Sequence, residues 1–484
     1  MSLPGKEDMP RLTLLQLNDL HAYLEPHPEV FWEAGQPMVR TAGGLARIKV
    51  YFDDVRREVS HPVIALDCGD TFHGTGPVVE TRGAFLPGLL NTLGLEGMSA
   101  HWDFAYGPDH LKGLVDRLNY PLLACNITVE DGTLLFPPTR MLERGGLRVG
   151  VIGVACNLIG DMGSLWGTEG LRVTQGREEV ARLVPELREQ GADMVVVLSH
   201  LGFPQDCALA EEVPGIDVIL SGHTHTRLMA PARVGATVLV QAGCHGSFVT
   251  RLDLEVMPGG VKVLHHELKT ISADLREDAG LAEQIAARLQ PFRAAAEEQA
   301  GETRAILHRG TTLSAPADLL LTDALRHAAG TDIVLSNGWR YGAPIPAGPV
   351  TRLAAWNLIP HNPPVSTAEL TGADLKELLE DSLEAVFSRD PWRQKGGYVK
   401  RLSGLVMYAK AEHPRGQRIL KLEVGGRPLD PERTYTAAYL TRQSVPEKYG
   451  RRHRELPLRA REALETYLRE HGPYTPPPAN VRLT

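Results

Sequence analysis

Carboxylate and imidazole side chains, which are common ligands of transition metals, recur in four short segments of this sequence. Each segment follows a run of aliphatic and β-branched residues that is typical of a strand, such as Leu12–Leu17 or Met194–Ser199. Open α/β sheets place functional residues just past the carboxyl ends of their strands, so we expect the four segments to converge. The candidate ligands are Asp19, His21, Asp70, His200, His223 and His225.

This set of ligands suits two divalent cations. A carboxylate can bridge two ions, and imidazole combined with carboxylate favours Mn, Fe, Zn or Ni over Ca, whose ligands are nearly all oxygens. Two ions about 3.5–4 Å apart lower the pKa of a bridging water and clamp a tetrahedral oxyanion. The sequence therefore predicts two divalent ions, Mn first with Zn or Fe as alternatives, and hydrolysis at a phosphoryl or sulfonyl centre.

Composition and charge narrow the class of protein. The chain has 484 residues with a formal net charge of -8, so it has no general basic field that would hold nucleic acid or an anionic membrane. Its longest apolar stretch, roughly residues 149–159, is far shorter than the ~20 residues that span a bilayer. No signal segment is recognisable at the start, which fits a cytoplasmic protein, or a periplasmic one whose signal peptide was removed.

The pattern of predicted elements divides the chain into two α/β domains. Short strand-like runs, among them Leu122–Ile127, alternate with amphipathic helices such as Leu45–Val59 up to about residue 256. Residues 274–301 are rich in Ala, Glu, Gln and Arg and predict a helix. We expect a domain with the metal site over residues 11–272, a connecting helix over 273–302 and a substrate-binding α/β domain over 303–484.

The order of the motifs resembles the metallophosphoesterase domain of the 5'-nucleotidase family. These motifs are Asn-Asp-x-His at Asn18, Gly-Asp-x-x-x-Gly at Gly69, Ser-His-Leu-Gly at Ser199 and Gly-His-Thr-His at Gly222. The resemblance continues into the second domain, through Ser336-Asn-Gly among other segments. It implies an α/β fold in which a four-layer α/β/β/α calcineurin-like metallophosphoesterase domain precedes a smaller 5'-nucleotidase C-terminal α/β domain.

The resemblance also implies how the ligands divide between two metals. Asp70 would bridge the two ions. One ion would also bind Asp19, His21 and His225, and the other would bind His200 and His223.

One motif departs from the nucleotidases of this family, which carry Gly-Asn-His-Glu-Phe-Asp-Tyr-Gly. The corresponding segment here reads Ala-His-Trp-Asp-Phe-Ala-Tyr-Gly from Ala100. Aligned without a gap, His101 takes the place of the metal-binding Asn, while Trp102 and Ala105 replace a catalytic His–Asp pair. A register with one inserted residue would instead keep His101 as the catalytic His and leave Ala100 at a ligand position. We expect the ungapped register, in which His101 is a metal ligand.

This departure resembles another branch of the family, the thiosulfohydrolase of the bacterial Sox sulfur-oxidation pathway, whose motif runs His-Trp-Glu-Phe-Thr. The segments Leu379–Gly397 and Trp339–Gly342 resemble that branch as well. A nucleoside alkoxide is a poor leaving group that benefits from a general acid by ~10² to 10⁴ in rate, whereas a persulfide anion leaves without one. The predicted reaction is release of sulfate from a cysteine S-thiosulfonate on a small sulfur-carrier protein.

Three residues are expected to contact the substrate: Arg340 through the planar fork of its guanidinium, Trp102 and Tyr398. Asp70, His101 and Arg340 are the expected catalytic residues, with the oxyanion held between the metals and Arg340. One alternative is a 5'-nucleotidase or cyclic nucleotide phosphodiesterase whose general acid comes from elsewhere, His73 or His245. Another is a metal-binding scaffold without catalysis.

Overall fold

The computed structural model of the chain describes residues 9–395 and 397–484, with the side chains of 163–165 excepted. The strands are β1 Arg11–Leu17, β2 His27–Glu33, β3 Gln36–Ala42, β4 Val63–Asp67, β5 Ile127–Thr128, β6 Thr139–Arg144, β7 Leu147–Val154, β8 Arg172–Val173, β9 Met194–Ser199, β10 Val218–Ser221, β11 Ala232–Val234, β12 Thr237–Val240, β13 Phe248–Met257, β14 Gly260–Thr270, β15 Gln299–Thr303, β16 Ile333–Gly338, β17 Gly348–Thr351, β18 Pro364–Thr371, β19 Tyr398–Ser403, β20 Leu405–Ala409, β21 Ile419–Val424, β22 Arg427–Pro428, β23 Thr434–Tyr439, β24 Arg451–Arg459 and β25 Val481–Leu483. The α-helices are α1 Leu45–Glu58, α2 Gly76–Glu80, α3 Leu86–Leu90, α4 Pro108–Val115, α5 Arg177–Glu189, α6 Phe203–Glu212, α7 Ala279–Leu289, α8 Arg293–Glu297, α9 Pro316–Ala329, α10 Arg352–Leu358, α11 Gly372–Phe387 and α12 Ala460–His471.

The chain divides into two compact units. Unit 1 consists of the chain up to His27 together with Thr41–His73 and Glu80–Arg288, and unit 2 consists of Pro28–Arg40, Gly74–Val79 and Leu289 onward. Two short segments from the N-terminal half of the sequence therefore belong to the second unit. No periodicity in those segments signals this, because membership of a unit depends on contacts between residues far apart in sequence.

The two main sheets of unit 1 share an apolar core. One sheet has the strand order β14-β13-β1-β4 and the other the order β11-β12-β10-β9-β7-β6. Aliphatic side chains from both, including Leu14 and Leu66 from the first and Val196 and Leu220 from the second, form one buried cluster. The central strands are buried on both faces, which is why β9 reads as a continuous hydrophobic run instead of alternating.

Helices cover the outer faces of both sheets. α5 and α6 pack against strands of the six-stranded sheet, and α1 lies over the four-stranded sheet, where the Tyr51 hydroxyl donates a hydrogen bond to Glu267 of β14 at 2.9 Å. The layers therefore run helix, sheet, sheet, helix. The predicted four-layer α/β/β/α domain is confirmed.

The registers of the parallel strands bring the ligand segments level with one another. β1 pairs with β4 up to Leu17 opposite Asp67, and β9 pairs with β10 up to Ser199 opposite Ser221. All four of these strands are followed directly by a segment that carries candidate ligands. Each sheet thus delivers two ligand segments from neighbouring strand ends.

Unit 2 is built on a mixed sheet with the order β19-β16-β23-β18-β24 and a smaller sheet with the order β22-β21-β20-β25. Its core includes Leu335, Leu370, Leu402 and side chains of α11, which confirms a second α/β domain after the first. Among the helices of the described residues, none is both long enough and apolar enough to cross a bilayer.

Two predicted elements differ in the structure. The helix predicted over 274–301 covers only residues 279–297, as α7, a 3-10 turn at Gln290–Phe292 and the short α8. Pro291 cannot donate an amide hydrogen to a continuing α-helix, and residues 299–303 form β15. The predicted strand Leu122–Ile127 is a strand only at its end, since the amides of Leu123, Ala124 and Cys125 each bond a different neighbouring segment.

Candidate metal centre

Two groups of potential ligands lie in unit 1 and share one residue, Asp70. The first group contains Asp70, His101, His200 and His223, and the second contains Asp19, His21, Asp70 and His225. In each group one ligand atom from every residue lies within 4.8 Å of the others. The structure thus brings together all seven predicted ligands in two sets of four.

The backbone is strained where it presents these ligands. Asp19, His21, Asp70, His223 and His225 all have positive φ angles, between 46° and 69°. This left-handed region costs non-glycine residues of order 1–3 kcal/mol each, and such residues cluster at functional sites. The sharp turns aim five side chains into one space directly after their strands end.

Close packing between the loops requires glycine at position 222. A side chain there would place Cβ 2.9 Å from Nδ1 of His200 and 3.3 Å from Oδ2 of Asp19. The loops are also joined directly, because the amide of His223 donates to both carboxylate oxygens of Asp19, at 3.1 and 3.0 Å. The Gly-His-Thr-His motif therefore needs its glycine for the approach of two other ligand segments.

The imidazoles are oriented by hydrogen bonds on their far sides. Nδ1 of His200 lies 2.6 Å from the carbonyl oxygen of Cys68, and Nδ1 of His21 lies 3.2 Å from that of His73. A carbonyl accepts but cannot donate, so each Nδ1 carries a proton, and Nε2 is the atom that each ring turns toward the centre. Nε2 of His200 is buried and lies 3.2 Å from Oδ2 of Asp70.

Burial and neighbouring imidazoles act in opposite directions on the pKa of the carboxyl groups of Asp70 and Asp19. Burial alone would raise the pKa of Asp70, but His200, followed by other imidazoles, outweighs this and holds the pKa well below its usual range. Burial likewise opposes the effect of His225 and His200 on Asp19, whose pKa is lowered overall. Both groups are therefore carboxylates, the form that binds metal.

The pKa values of two of the imidazoles are shifted in opposite directions. Burial lowers the pKa of His21 to about 3, so this ring is neutral at neutral pH. Burial also acts to lower the pKa of His200, but Asp70 and Asp19 outweigh it and raise the pKa to about 9. The site thus attracts positive charge at the position of the His200 ring.

The residues present fit a pair of divalent ions. Two buried carboxylates and five imidazoles would be costly to keep together without cations, because desolvated charges need compensation. The buried Nε2 of His200 lies 3.2 Å from Oδ2 of Asp70, and the carbonyl-bound Nδ1 leaves Nε2 as the atom that would bind a metal. Asp70 belongs to both sets and is the one residue placed to bridge.

His101 lies among the ligands, and Trp102 lies beside them. Nδ1 of His101 is 3.4 Å from Oδ2 of Asp70, whereas the amide of Trp102 donates to Oδ1 of the same carboxylate at 2.7 Å. The indole of Trp102 stacks on the His73 ring at 4.7 Å and meets the edge of Trp166 at 4.8 Å. This is the arrangement expected from the ungapped register; the role of His101 as a ligand remains a prediction.

Both histidines considered as alternative general acids are near the centre. His73 is buried against Trp102. The ring of His245 lies 6.0 Å from those of His21 and His225, and its amide donates to the carbonyl of Asp19 at 2.7 Å.

Asp103 is a functional residue that the sequence reasoning missed. Its buried carboxylate accepts backbone hydrogen bonds from Asp70, Thr71, Phe72 and His101, at 2.8 to 3.1 Å. It therefore fixes the loop of the shared ligand and the amide of His101 at the same time. The available signal was the glutamate that both motifs quoted above carry at this position.

The predicted substrate residues Arg340 and Tyr398 belong to unit 2. Tyr398 begins β19 opposite Gly338 of β16, two residues before Arg340. Only glycine allows this approach, since a Cβ on Gly338 would lie 2.4 Å from that of Tyr398. Arg340 and Tyr398 therefore come from paired strand ends in one unit.

A buried ion network supports these strand ends. Asp318 binds Arg309 at 3.0 Å and Arg401 at 2.9 Å. The guanidinium of Arg401 lies 4.7 Å from the centre of the Tyr398 ring, and Arg309 donates to the carbonyl of Tyr341 at 2.8 Å. The network thus reaches both the tyrosine and the segment that carries Arg340.

Two family models match separate parts of the chain. Residues 12–227 match the family described as calcineurin-like phosphoesterase, and residues 296–441 match the 5'-nucleotidase C-terminal domain. A probable 5'-nucleotidase from Treponema pallidum is 26% identical, with 95% of this chain and 90% of that protein covered.

Two solved structures from Thermus thermophilus are similar over almost their full lengths. One is a sulfate thiohydrolase, SoxB, with a TM-score of 0.88 and 28% identity, covering 100% of this chain and 98% of the other. The second is a 5'-nucleotidase precursor, with a TM-score of 0.85 and 25% identity, covering 98% of this chain and 99% of the other. The chain is thus similar to members of both branches.

Replacing Asp103 by Asn should weaken the centre without removing a ligand. The amide nitrogen of Asn would face backbone donors, so about two of four hydrogen bonds are lost, at about 1–3 kcal/mol for each donor left unpaired. We expect a lower melting temperature and a lower metal affinity. Calorimetry and metal titration would check this, with the exposed Asp116→Asn as the control. Equal metal affinity in Asp103→Asn and the control would contradict the positioning role.

Substitutions of His101 separate the two registers. If His101 occupies the ligand position that Asn holds in nucleotidases, His101→Asn should retain most of the ion that would bind the group of His101, His200 and His223. His101→Ala should lose that ion. Mass spectrometry of the metal content after dialysis measures this directly. Equal loss in both variants would contradict the ungapped register.

Proposed function

The chain is a metal-dependent hydrolase of the 5'-nucleotidase family of metallophosphoesterases, and we propose that it releases sulfate from a cysteine S-thiosulfonate. The observation that carries this proposal is the segment beside Asp70. There His101 joins the ligands, while an indole and a methyl group, from Trp102 and Ala105, stand where nucleotidases of the family have a catalytic His–Asp pair.

The metal ligands are proposed as the structure groups them. Asp70 would be shared by the two ions, Asp19, His21 and His225 would hold one of them, and His101, His200 and His223 would hold the other. When bound, two divalent ions, Mn first among the candidates, supply an activated water and a clamp for the substrate oxyanion. The protein's own part is to hold the ligands rigid, through Asp103 and the carbonyl-bound imidazoles.

The leaving group explains why the acid pair can be absent. Water attacks the sulfonate sulfur of R–S–S–SO3⁻, the S–SO3 bond breaks, and the products are sulfate, the persulfide R–S–S⁻ and two protons. The persulfide sulfur is far less basic than an alkoxide, so it takes the bonding pair without being protonated. A site with its ligands in place but without the pair is therefore suited to a sulfur leaving group.

Three side chains are proposed to bind the substrate. In unit 1, the centre of the Trp102 ring lies 6.0 Å from that of the candidate ligand His101. In unit 2, the guanidinium of Arg340 can bind an oxyanion through two parallel donors, and Tyr398 offers a ring held by Arg401. The proposed partner is a small sulfur-carrier protein that presents the modified cysteine. The similarity to the SoxB structure supports this reading.

A nucleotide phosphohydrolase is the second candidate. The Treponema pallidum relative is named a probable 5'-nucleotidase, and a solved 5'-nucleotidase has nearly the same TM-score as SoxB. In this reading the general acid would be His73 or His245, both of which lie beside the ligands.

A panel of substrates tests the proposal. Purified protein loaded with Mn²⁺ is offered an S-thiosulfonated cysteine peptide, AMP and an aryl phosphodiester, and release of sulfate or phosphate is measured. We expect kcat/KM to be highest for the thiosulfonate. Asp70→Asn, which removes the shared ligand, serves as the control for contaminating hydrolases. Faster hydrolysis of AMP, abolished in Asp70→Asn, would replace this proposal with the nucleotidase.

Restoring the His–Asp pair that nucleotidases carry should shift the substrate preference toward AMP. The double variant Trp102→His with Ala105→Asp supplies a candidate acid for an alkoxide, so AMP hydrolysis should rise, by as much as ~10². The matched control is Trp102→Phe with Ala105→Asn, which opens similar space but cannot transfer a proton at neutral pH. The leaving-group argument fails if both double variants hydrolyse AMP at the same rate.

A further inference from the structure

In unit 2, the contact between helices α9 and α12 has a histidine from each helix at one end. Both histidines lie far along the sequence from the candidate ligands described above. α9 and α12 pack through a buried cluster that includes Leu320, Leu464 and Leu468. His327 follows Leu320 by seven residues, and His471 follows Leu464 by seven, so each histidine continues the face that its helix turns toward the other. The apolar contact therefore ends in a pair of imidazoles.

The pair has a carboxylate beside it. The ring centres of His327 and His471 are 4.4 Å apart, and Nε2 of His327 lies 3.3 Å from Oε2 of Glu470. One ligand atom from each of the three residues lies within 4.8 Å of the others. The side chains of His327 and Glu470 are 46% and 54% exposed, so an ion can reach them from solvent.

Two further features favour a cation with an accessible coordination position. His327 and His471 lie in the last turns of α9 and α12, where the helix dipole attracts positive charge. They also line a cavity of about 860 Å³, which leaves room beside them, and the positive charges of Arg326 and Arg482 in its lining would attract an anion bound to such a cation. A small anion or water could occupy the remaining position of an ion held by three protein ligands.

We propose that His327, His471 and Glu470 form a binding site for a divalent ion of the Zn²⁺ class, separate from the catalytic centre. Two imidazoles with one carboxylate suit Zn²⁺, Ni²⁺ or Cu²⁺, whereas Mg²⁺ and Ca²⁺ prefer oxygen ligands. The ion would tie the end of α12 to the end of α9. It would therefore stabilise the folded unit without taking part in hydrolysis.

An alternative gives the same residues a purely structural part. Tyr467 stacks on His471 at 4.5 Å, and His327 can pair with Glu470 when protonated. Such an aromatic and ionic cap would need no metal. The two possibilities differ in whether one ion binds and in whether that ion raises the melting temperature.

Metal counting distinguishes them. Wild type, His327→Gln and His471→Gln are dialysed against buffered Zn²⁺, and bound zinc is measured by mass spectrometry. Each variant should bind one equivalent less than wild type while retaining its hydrolytic activity. The exposed His265→Gln in unit 1 is the matched control and should bind as many equivalents as wild type.

The melting temperature provides a second measurement. Added Zn²⁺ should raise the melting temperature of wild type more than that of either variant, because an ion that binds only the folded state stabilises it. Glu470→Gln should reduce this increase, since an amide is a weaker ligand than a carboxylate. Equal zinc content in wild type and both histidine variants would overturn the proposal, whatever the hydrolytic activity proves to be.

Discussion

A single carboxylate, that of Asp70, lies within reach of two groups of candidate metal ligands at once, and the architecture of unit 1 makes this arrangement possible. Asp19 and Asp70 follow neighbouring strands of one sheet, whereas His200 and His223 follow neighbouring strands of the other. In unit 1, a sandwich of two sheets brings the loops after the other three strands to the carboxylate on the fourth. The apolar cluster between the sheets holds them in that relation.

The loops that carry the candidate ligands need strained backbone conformations to bring their side chains together. Five of the ligands adopt left-handed backbone conformations, and such strain persists only where surrounding contacts enforce it. Asp103 supplies part of that enforcement through four backbone hydrogen bonds, and the carbonyls that accept from His21 and His200 supply another part.

The layered fold and the positions of most candidate ligands at strand ends could be predicted from the sequence because their signals are local, whereas the division of the ligands between two metals came from the family resemblance. A hydrophobic run followed by Asp or His marks a strand end with a ligand, and the order of the motifs indicated the family. The role of Asp103 could not be read in this way, because it depends on hydrogen bonds to residues about thirty positions earlier. The inclusion of Pro28–Arg40 in unit 2 and the break in the predicted helix at Pro291 likewise depend on contacts and donors that no periodicity reveals.

Anomalous diffraction from crystals of the protein grown with Mn²⁺ tests the central claim most directly. The account predicts two anomalous peaks about 3.5–4 Å apart, with the Asp70 carboxylate touching both and His101 bound to one of them. A single peak, or two peaks of which only one contacts Asp70, would contradict it.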